Sequence, residues 1–253
     1  MKRLLTLLFC LSVSAGVQAS GGGNYDHAPV DLHNKTSLQN GAKVYVNYCL
    51  GCHGLRFLRY NQMAEGIGAT EAEVKEKLMF VGTKIGEQMN VSASTEMQTK
   101  WFGTNPPDLS LVARSWGPDK LYTYLRSFYV DPSRPMGVNN TVFKDVGMPH
   151  VLVGLQGKQK IVYKDVKSME KQEDGSMKEV VRQEFDKFEL VSVGELTPEE
   201  YDATVGDLVN FLTFVGEPHQ LDRKSLGIKV ILFLMVLFVL AYLMKKEFWK
   251  DLH

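Results

Sequence analysis

Three side chains within five residues have the types and the spacing to hold an iron porphyrin. Cys49, Cys52 and His53 form the pattern Cys-x-x-Cys-His. This pattern is the attachment signature of c-type haem. Two thiols one helical turn apart can each add to a vinyl group of the same porphyrin, and the adjacent imidazole can then ligate the iron. The pattern therefore predicts one covalently bound haem c, with His53 as an axial ligand.

Other chemistries also use paired cysteines. A structural disulfide would leave His53 unexplained, and a thioredoxin-like redox pair is expected in a βαβ context that the sequence does not show here. A zinc site would need a second pair of ligands at similar spacing. The third cysteine, Cys10, lies in an apolar run near the start of the chain. Haem attachment accounts for all three motif residues, and the alternatives predict a chain without a visible chromophore.

A low-spin electron carrier needs a second axial ligand, for which a methionine thioether or a histidine would serve. Met148 is flanked by Gly147, which allows close backbone approach, and by Pro149, which stiffens the loop. Met136 has a similar setting between a proline and a glycine, and His150 is a further candidate. Spacing favours Met148 and leaves the other two open.

The two ends of the chain carry export and membrane signals. Residues 1–19 combine a basic start, an apolar run of about ten residues and small residues before Ala19, which predicts a cleaved secretory signal peptide. Leu226–Met244 is an apolar stretch interrupted by Lys229. As a helix it would be about 28 Å long, which matches the hydrocarbon core of a bilayer. The lysine, one turn in, can snorkel to the headgroups.

These signals predict the domain organisation. Residues 20–222 form an exported haem domain, and residues 223–253 form a transmembrane anchor with a short lysine-rich tail inside the cell. The whole chain carries 29 basic and 29 acidic residues, which argues against a nucleic-acid-binding protein. The exported part alone has 21 basic and 27 acidic residues, a net charge of about −6. An acidic domain favours cationic partners and steers their approach.

Several elements must position the haem motif. A short helix over residues 40–48, capped by Asn40, leads into the motif. Thr197, followed by Pro198 and two glutamates, predicts the start of a second helix that runs to about Val215. Asp174 and Gly175 lie between two apolar runs in the strongly charged segment 157–192, which predicts a β-hairpin. The fold class is therefore mainly α, with long loops, a hairpin insertion and one C-terminal transmembrane helix.

A second block of sequence adds a family resemblance. Residues 101–110 read Trp-Phe-Gly-Thr-Asn-Pro-Pro-Asp-Leu-Ser, and Arg114 follows four residues later. Together with the haem motif, the Gly-Met-Pro run at residues 147–149 and the C-terminal apolar stretch, this block resembles the cytochrome c1 family. Members of that family are the c-haem subunits of the ubiquinol–cytochrome c oxidoreductase, the cytochrome bc1 complex. The resemblance is to the bacterial type and covers nearly the whole mature chain.

The resemblance implies roles for particular residues. Met148 becomes the expected second axial ligand, because the family's ligand lies in such a loop. Asn105 and Pro106 are expected to line the haem. Arg114 is expected to pair with a haem propionate, since a guanidinium fork suits a carboxylate in a partly desolvated crevice.

The resemblance also implies how the helices pack. In c-type cytochrome folds the last helix of the haem domain crosses the helix that precedes the haem motif. Gly41 and Tyr45 on the first helix are therefore expected to meet Leu208 and Phe211 on the second.

The function implied is one-electron transfer from the Rieske iron–sulfur protein to a soluble cytochrome c, with no bond-making catalysis on this chain. The implied partners are cytochrome b, the Rieske subunit and the lipid bilayer, with no nucleic acid. The implied location is the bacterial cytoplasmic membrane, with the haem domain on the periplasmic side. Rival interpretations are a tethered c-type cytochrome feeding another oxidase or reductase, a haem enzyme with an open distal position, and a thiol oxidoreductase.

Overall fold

The computed structural model describes residues 24–171 and 177–250. The predicted signal peptide and the predicted hairpin turn at Asp174 and Gly175 lie outside the described residues. Within the two described ranges there are nine helices and six strands. Helices account for most of the regular structure, in agreement with the predicted mainly α class.

The helices, in chain order, are α1 Lys35–Tyr48, α2 Tyr60–Ile67, α3 Glu71–Lys77, α4 Thr95–Phe102, α5 Val112–Trp116, α6 Pro118–Arg126, α7 Val153–Gln156, α8 Pro198–Gly216 and α9 Gln220–Phe248. The strands are β1 Leu55–Arg59, β2 Gln88–Met89, β3 Phe128–Val130, β4 Val138–Asn140, β5 Gly157–Lys171 and β6 Met177–Val193. They form three antiparallel pairs, β1 with β2, β3 with β4, and β5 with β6.

Helix α1 begins earlier than the sequence predicts. Asn34 caps it, because its side-chain oxygen accepts a hydrogen bond from the Ser37 amide at 3.0 Å. The predicted cap, Asn40, lies inside the helix, where its amide donates to the carboxylate of Asp207 on α8 at 3.0 Å. The predicted start at Asn40 is therefore wrong: a residue with capping chemistry makes a tertiary contact instead.

Helices α1 and α8 cross at Gly41. A Cβ atom built on Gly41 would lie 2.0 Å from the main-chain oxygen of Asp207 and 2.7 Å from the Cβ of Phe211. One turn later the rings of Tyr45 and Phe211 are 5.8 Å apart between centroids. The expected contact of Gly41 and Tyr45 with Phe211 is confirmed, and Leu208 is buried on the same helix.

Helix α8 begins where the sequence predicts and ends one residue later, at Gly216. The hydroxyl of Thr197 accepts a hydrogen bond from the Glu200 amide at 3.3 Å, and the Glu200 carboxylate accepts one from the Thr197 amide at 2.9 Å. This capping box satisfies two amides that the helix leaves free. The hydrogen bonds from Thr197 lower the pKa of Glu200, so the carboxylate stays charged at the positive end of the helix dipole.

Helix α6 is joined to α8 by a buried tyrosine and an ion pair. The hydroxyl of Tyr201 donates to the main-chain oxygen of Leu125 at 2.9 Å. The guanidinium of Arg126 makes a two-pronged contact with Asp202, with both N–O distances at 2.6 Å, and also reaches Asp26 at 2.7 Å. These contacts fix α6, which carries residues of the site described below.

The long strands β5 and β6 pair antiparallel over almost their whole length, which agrees with the predicted hairpin. Tyr163 lies directly opposite Phe185, so the two side chains share a face, and Val181 is on the same face four residues earlier on β6. These apolar side chains are about half exposed. Lys160 lies opposite Glu189 on the other face, with a charge pair at 3.5 Å.

Helix α9 is the one helix in the described ranges that is long and apolar enough to cross a membrane. Its 29 residues would span about 44 Å, at about 1.5 Å per residue. None of its residues is buried against the rest of the chain. The stretch Leu226–Met244, in which Lys229 is the one charged residue, has the length and composition of a membrane span.

The crossing at Gly41 gives a test of the packing. We expect Gly41→Ala to destabilise the haem-loaded protein by about 1–3 kcal/mol, because the added methyl overlaps backbone atoms of α8 that cannot move independently. Helix propensity alone would give a gain of about 1 kcal/mol. The control is Gly154→Ala, since a Cβ atom there meets nothing within 4 Å. Thermal unfolding measures both, and a Gly41→Ala protein as stable as wild type would contradict the crossing.

Candidate haem-binding site

The Cys-x-x-Cys-His motif forms a tight turn at the end of α1. The amide of Cys49 donates to the main-chain oxygen of Tyr45 at 2.8 Å, which continues the helix. The amides of Cys52 and His53 then both donate to the oxygen of Cys49, at 3.0 and 2.9 Å. The two thiols are not bridged to each other. Burial, with a smaller effect of the neighbouring Cys52, raises the pKa of the Cys49 thiol to about 12.

The imidazole of His53 is oriented by a residue far along the chain. Its Nδ1 lies 2.7 Å from the main-chain oxygen of Pro107. A carbonyl only accepts, so Nδ1 carries the proton and Nε2 keeps a free lone pair. Burial lowers the pKa of His53, against the smaller opposing effects of the Pro107 carbonyl and the Asp108 charge. The imidazole therefore presents a neutral Nε2, the form in which histidine ligates a metal.

The Pro-Pro-Asp-Leu-Ser block is held against the motif by Asp108. Its carboxylate accepts hydrogen bonds from the amides of Arg56 at 2.9 Å and Ser110 at 3.0 Å. The amide of Leu109 donates to the oxygen of Gly54 at 2.9 Å. These contacts fix the chain on both sides of the Pro107 carbonyl. Sequence reasoning missed the role of Asp108, although an Asp side chain that accepts from the backbone amide two residues on is a known turn-forming feature.

Asn105 and Pro106 lie beside the attachment site. With Cys52 they line a cavity of about 220 Å³, which Gln98 also borders. The side-chain amide of Gln98 donates to the main-chain oxygen of Cys52 at 3.2 Å. The structure therefore brings two of the three expected haem-lining residues together with the second cysteine.

Arg114 lies in a different place. It is exposed on α5, and a Cβ atom built on Gly216 would lie 3.1 Å from its Cγ. Its charge is one of the smaller effects that lower the pKa of Glu217, after the hydrogen bond from Arg223. The structure therefore places Arg114 at the C-terminal end of α8 rather than in the cavity beside Cys52.

The three candidates for the second ligand differ in their surroundings. Met148 is half-buried, and its sulfur accepts a hydrogen bond from the hydroxyl of Tyr124 at 3.4 Å. Met136 lies on a turn and is 50% exposed. His150 is buried, with its ring stacked on Phe128 at 4.9 Å between centroids.

The His150 ring is held neutral inside the fold. Burial lowers the pKa of His150 to about 4, and the neighbouring Gln156 side chain opposes this only in part. Its Nε2 is buried without a hydrogen-bond partner among the described atoms. In this structure the imidazole packs as an apolar ring against an aromatic residue.

The loop that carries Met148 is built by asparagine side chains. The oxygen of the Asn139 side chain accepts from the Asp145 amide at 2.9 Å, and that of Asn140 accepts from the Val142 amide at 2.8 Å. Asp145 adopts a φ of 61°, and Arg134 pairs with its carboxylate at 3.1 Å. Sequence reasoning missed Asn139 and Asn140, whose turn-forming chemistry was the available signal.

The residues fit a covalently attached haem c. Two unbridged thiols lie one turn apart, and a neutral imidazole nitrogen adjoins them. Within residues 24–171 and 177–250, no group of three or more His, Cys, Asp or Glu side chains is placed to hold a metal ion. The residues that could hold the haem are therefore Cys49, Cys52 and His53, with Met148 as the candidate thioether ligand.

Comparison with known proteins gives matches along the whole chain. The Cytochrome C1 family matches residues 25–252. The chain is 46% identical over 254 residues to a cytochrome c1 of Allochromatium vinosum, covering 100% of both proteins. It is 42% identical over 255 residues to a protein of Nitrosomonas europaea named ammonia monooxygenase gamma subunit, again covering 100% of both. A cytochrome c1 of Rhodobacter capsulatus is 24% identical, over 98% of this chain and 96% of that protein.

The two hydrogen bonds that the Asp108 carboxylate accepts from backbone amides can be tested separately from haem binding. We expect Asp108→Ala to destabilise the haem-loaded protein by roughly 1.5–3 kcal/mol, because two amides lose a charged acceptor. Asp165→Ala, an exposed change on β5, is the matched control and should stay within about 0.5 kcal/mol of wild type. Chemical unfolding followed by circular dichroism measures both. Equal stability of the two variants would show that Asp108 does not hold the block.

Proposed function

This chain belongs to the cytochrome c1 family, and on that premise we propose that it is the haem c subunit of a bacterial bc1-type complex. In that role it accepts single electrons from the Rieske iron–sulfur protein and passes them to a soluble cytochrome c. Proteins of this family bind one covalent haem c. When bound, the haem supplies an iron that holds or releases one electron. The observation that carries the proposal is the oriented imidazole of His53 beside two free thiols, in a chain matched over 25–252.

The roles of the attachment residues follow from their geometry. Cys49 and Cys52 would each hold the porphyrin through a thioether. His53 would ligate the iron through Nε2, because Nδ1 is committed to the Pro107 oxygen. That hydrogen bond fixes the direction of the ring and increases the basicity of the ligating nitrogen.

Met148 is the proposed second axial ligand. Its thioether is half-buried and already oriented by one hydrogen bond, whereas the side chain of Met136 is half exposed on a turn. The ring of His150 is stacked on Phe128, and turning it toward an iron would break that contact. A thioether ligand favours the ferrous state and raises the reduction potential, as a carrier that receives electrons from an iron–sulfur protein requires.

The residues expected around the haem receive unequal support. Asn105 and Pro106 share a cavity with Cys52, which supports their place beside the porphyrin. The proposed pairing of Arg114 with a propionate rests on the family resemblance. The exposed guanidinium would offer a charge-assisted contact to that carboxylate.

Helix α9 is the proposed membrane anchor. None of its residues is buried, and its large apolar side chains from Leu226 to Met244 are exposed. Lys245 and Lys246 in the last turn suit the cytoplasmic side under the positive-inside rule. The haem domain would then lie on the periplasmic side of the cytoplasmic membrane. Anchoring keeps the domain beside its membrane partners, cytochrome b and the Rieske subunit, at high effective concentration.

The surface charge suits a basic electron acceptor. Residues 20–222 carry a net charge of about −6. Such a field steers a cationic partner and accelerates encounter at low ionic strength. The chain itself would catalyse no bond-making reaction, since its residues hold the cofactor and orient its ligands.

The rival function is that of a tethered cytochrome that serves another enzyme. One relative is named as a monooxygenase subunit, which is consistent with this rival function. The two functions differ in what accompanies the chain in the membrane. We expect the full-length tagged chain, extracted in mild detergent, to give a c-type band and b-type bands in one reduced-minus-oxidised spectrum. A double variant, Cys49→Ser with Cys52→Ser, should lose the c-type band. A c-type band without b-type haem would contradict membership of a bc1-type complex.

The second ligand has its own test. We expect Met148→Leu to convert the haem from low spin to high spin and to allow carbon monoxide binding, because leucine cannot ligate iron. Met136→Leu is the matched control and should remain low spin. Optical and resonance Raman spectra of the purified proteins report the spin state. High-spin haem in the Met136 variant alone would assign the ligand to Met136.

A further inference from the structure

Tyr124 on α6 contacts Met148 although 24 residues separate them. Its hydroxyl lies 3.4 Å from the methionine sulfur, within hydrogen-bond distance for a sulfur acceptor. Tyr124 is buried, so water competes little for this hydroxyl. A phenol can donate one proton, and the thioether sulfur is the acceptor that the fold supplies.

The ring of Tyr124 is held on two sides by aromatic residues. Trp116 meets it edge-on at 5.4 Å between centroids, and Phe128 meets it at 5.2 Å with an interplanar angle of 66°. Both contacts have the tilted geometry that aromatic pairs prefer. Packing therefore sets the position of the hydroxyl independently of the sulfur.

The main chain of Tyr124 is tied to the same loop. Its oxygen accepts a hydrogen bond from the Asn140 side-chain amide at 2.8 Å. The oxygen of that side chain accepts from the amides of Val142 and Phe143, at 2.8 and 3.2 Å. The tyrosine and the loop that ends in Met148 thus form one hydrogen-bonded unit.

We propose that Tyr124 is a positioning residue for the Met148 thioether and tunes the reduction potential of the haem. The inference rests on the proposed ligation by Met148. A thioether sulfur has two lone pairs, and the phenol occupies one, which leaves the other to face the iron. The hydrogen bond also withdraws electron density from the sulfur. Weaker donation destabilises ferric iron more than ferrous iron, so the contact raises the potential.

Removing the Tyr124 hydroxyl alone tests the proposal that it tunes the reduction potential. Tyr124→Phe keeps the ring between Trp116 and Phe128 and removes only the donor. At a fixed solution potential we expect the ferric-to-ferrous ratio to rise roughly threefold to tenfold, which corresponds to the net free energy of one hydrogen bond. A tenfold change in a one-electron couple corresponds to about 59 mV. The sulfur-to-iron charge-transfer band of the ferric protein should shift as well, since it reports the bond directly.

Tyr122→Phe is the matched control. Tyr122 lies on the same helix, and its hydroxyl donates to the main-chain oxygen of Asp202, also at 3.4 Å. Both variants are titrated as full-length haem-loaded proteins. A shift confined to Tyr124→Phe supports the inference, whereas equal shifts in both variants, or none in either, overturn it. Absence of the charge-transfer band from wild type would instead refute ligation by Met148. Failure of the Tyr124 proposal and failure of the proposed Met148 ligation therefore give different results.

Discussion

The hydrogen bond between His53 and the Pro107 carbonyl is the constraint on which the site depends. A histidine next to two attached cysteines can hold iron in a defined position only if its ring cannot rotate. The partner that prevents rotation is 54 residues away, so the Pro-Pro-Asp-Leu-Ser block must itself be held. Asp108 does this through two backbone amides, and the Leu109 amide adds a third contact, to Gly54. The block thus orients the imidazole of His53 through the main-chain oxygen of Pro107.

The helices around the site fix the surroundings of that bond. Helix α1 ends at the motif, and its close approach to α8 at Gly41 sets where the two thiols lie. The hydroxyl of Tyr45 donates to the main-chain oxygen of His53, which links the helix crossing directly to the ligand. Helix α6, joined to α8 through Arg126 and Asp202, carries Tyr124 to the sulfur of Met148. Helix α8 therefore supports both proposed axial ligands, His53 through α1 and Met148 through α6.

Helix α9 and the long β5–β6 hairpin both expose large apolar side chains. Helix α9 buries none of its residues within the chain, and the exposed apolar face of β5 and β6 includes Tyr163 and Phe185. A helix of this kind needs lipid or other protein around it, because its apolar side chains find no cover in the chain itself. The residues from Ala28 to Val215, in contrast, include the buried side chains that form the hydrophobic core.

The sequence by itself determined the features that local chemistry fixes. The haem motif, the capping of α8 at Thr197 and the apolar length of α9 were predictable, because each depends on residues within a few positions of one another. The tertiary structure decided the rest. It joins Asn40 to Asp207 on α8, places Arg114 beside Gly216, and brings Tyr124 to Met148. These outcomes depend on partners distant in the chain, and spacing along a sequence does not record which distant groups packing brings into hydrogen-bond distance.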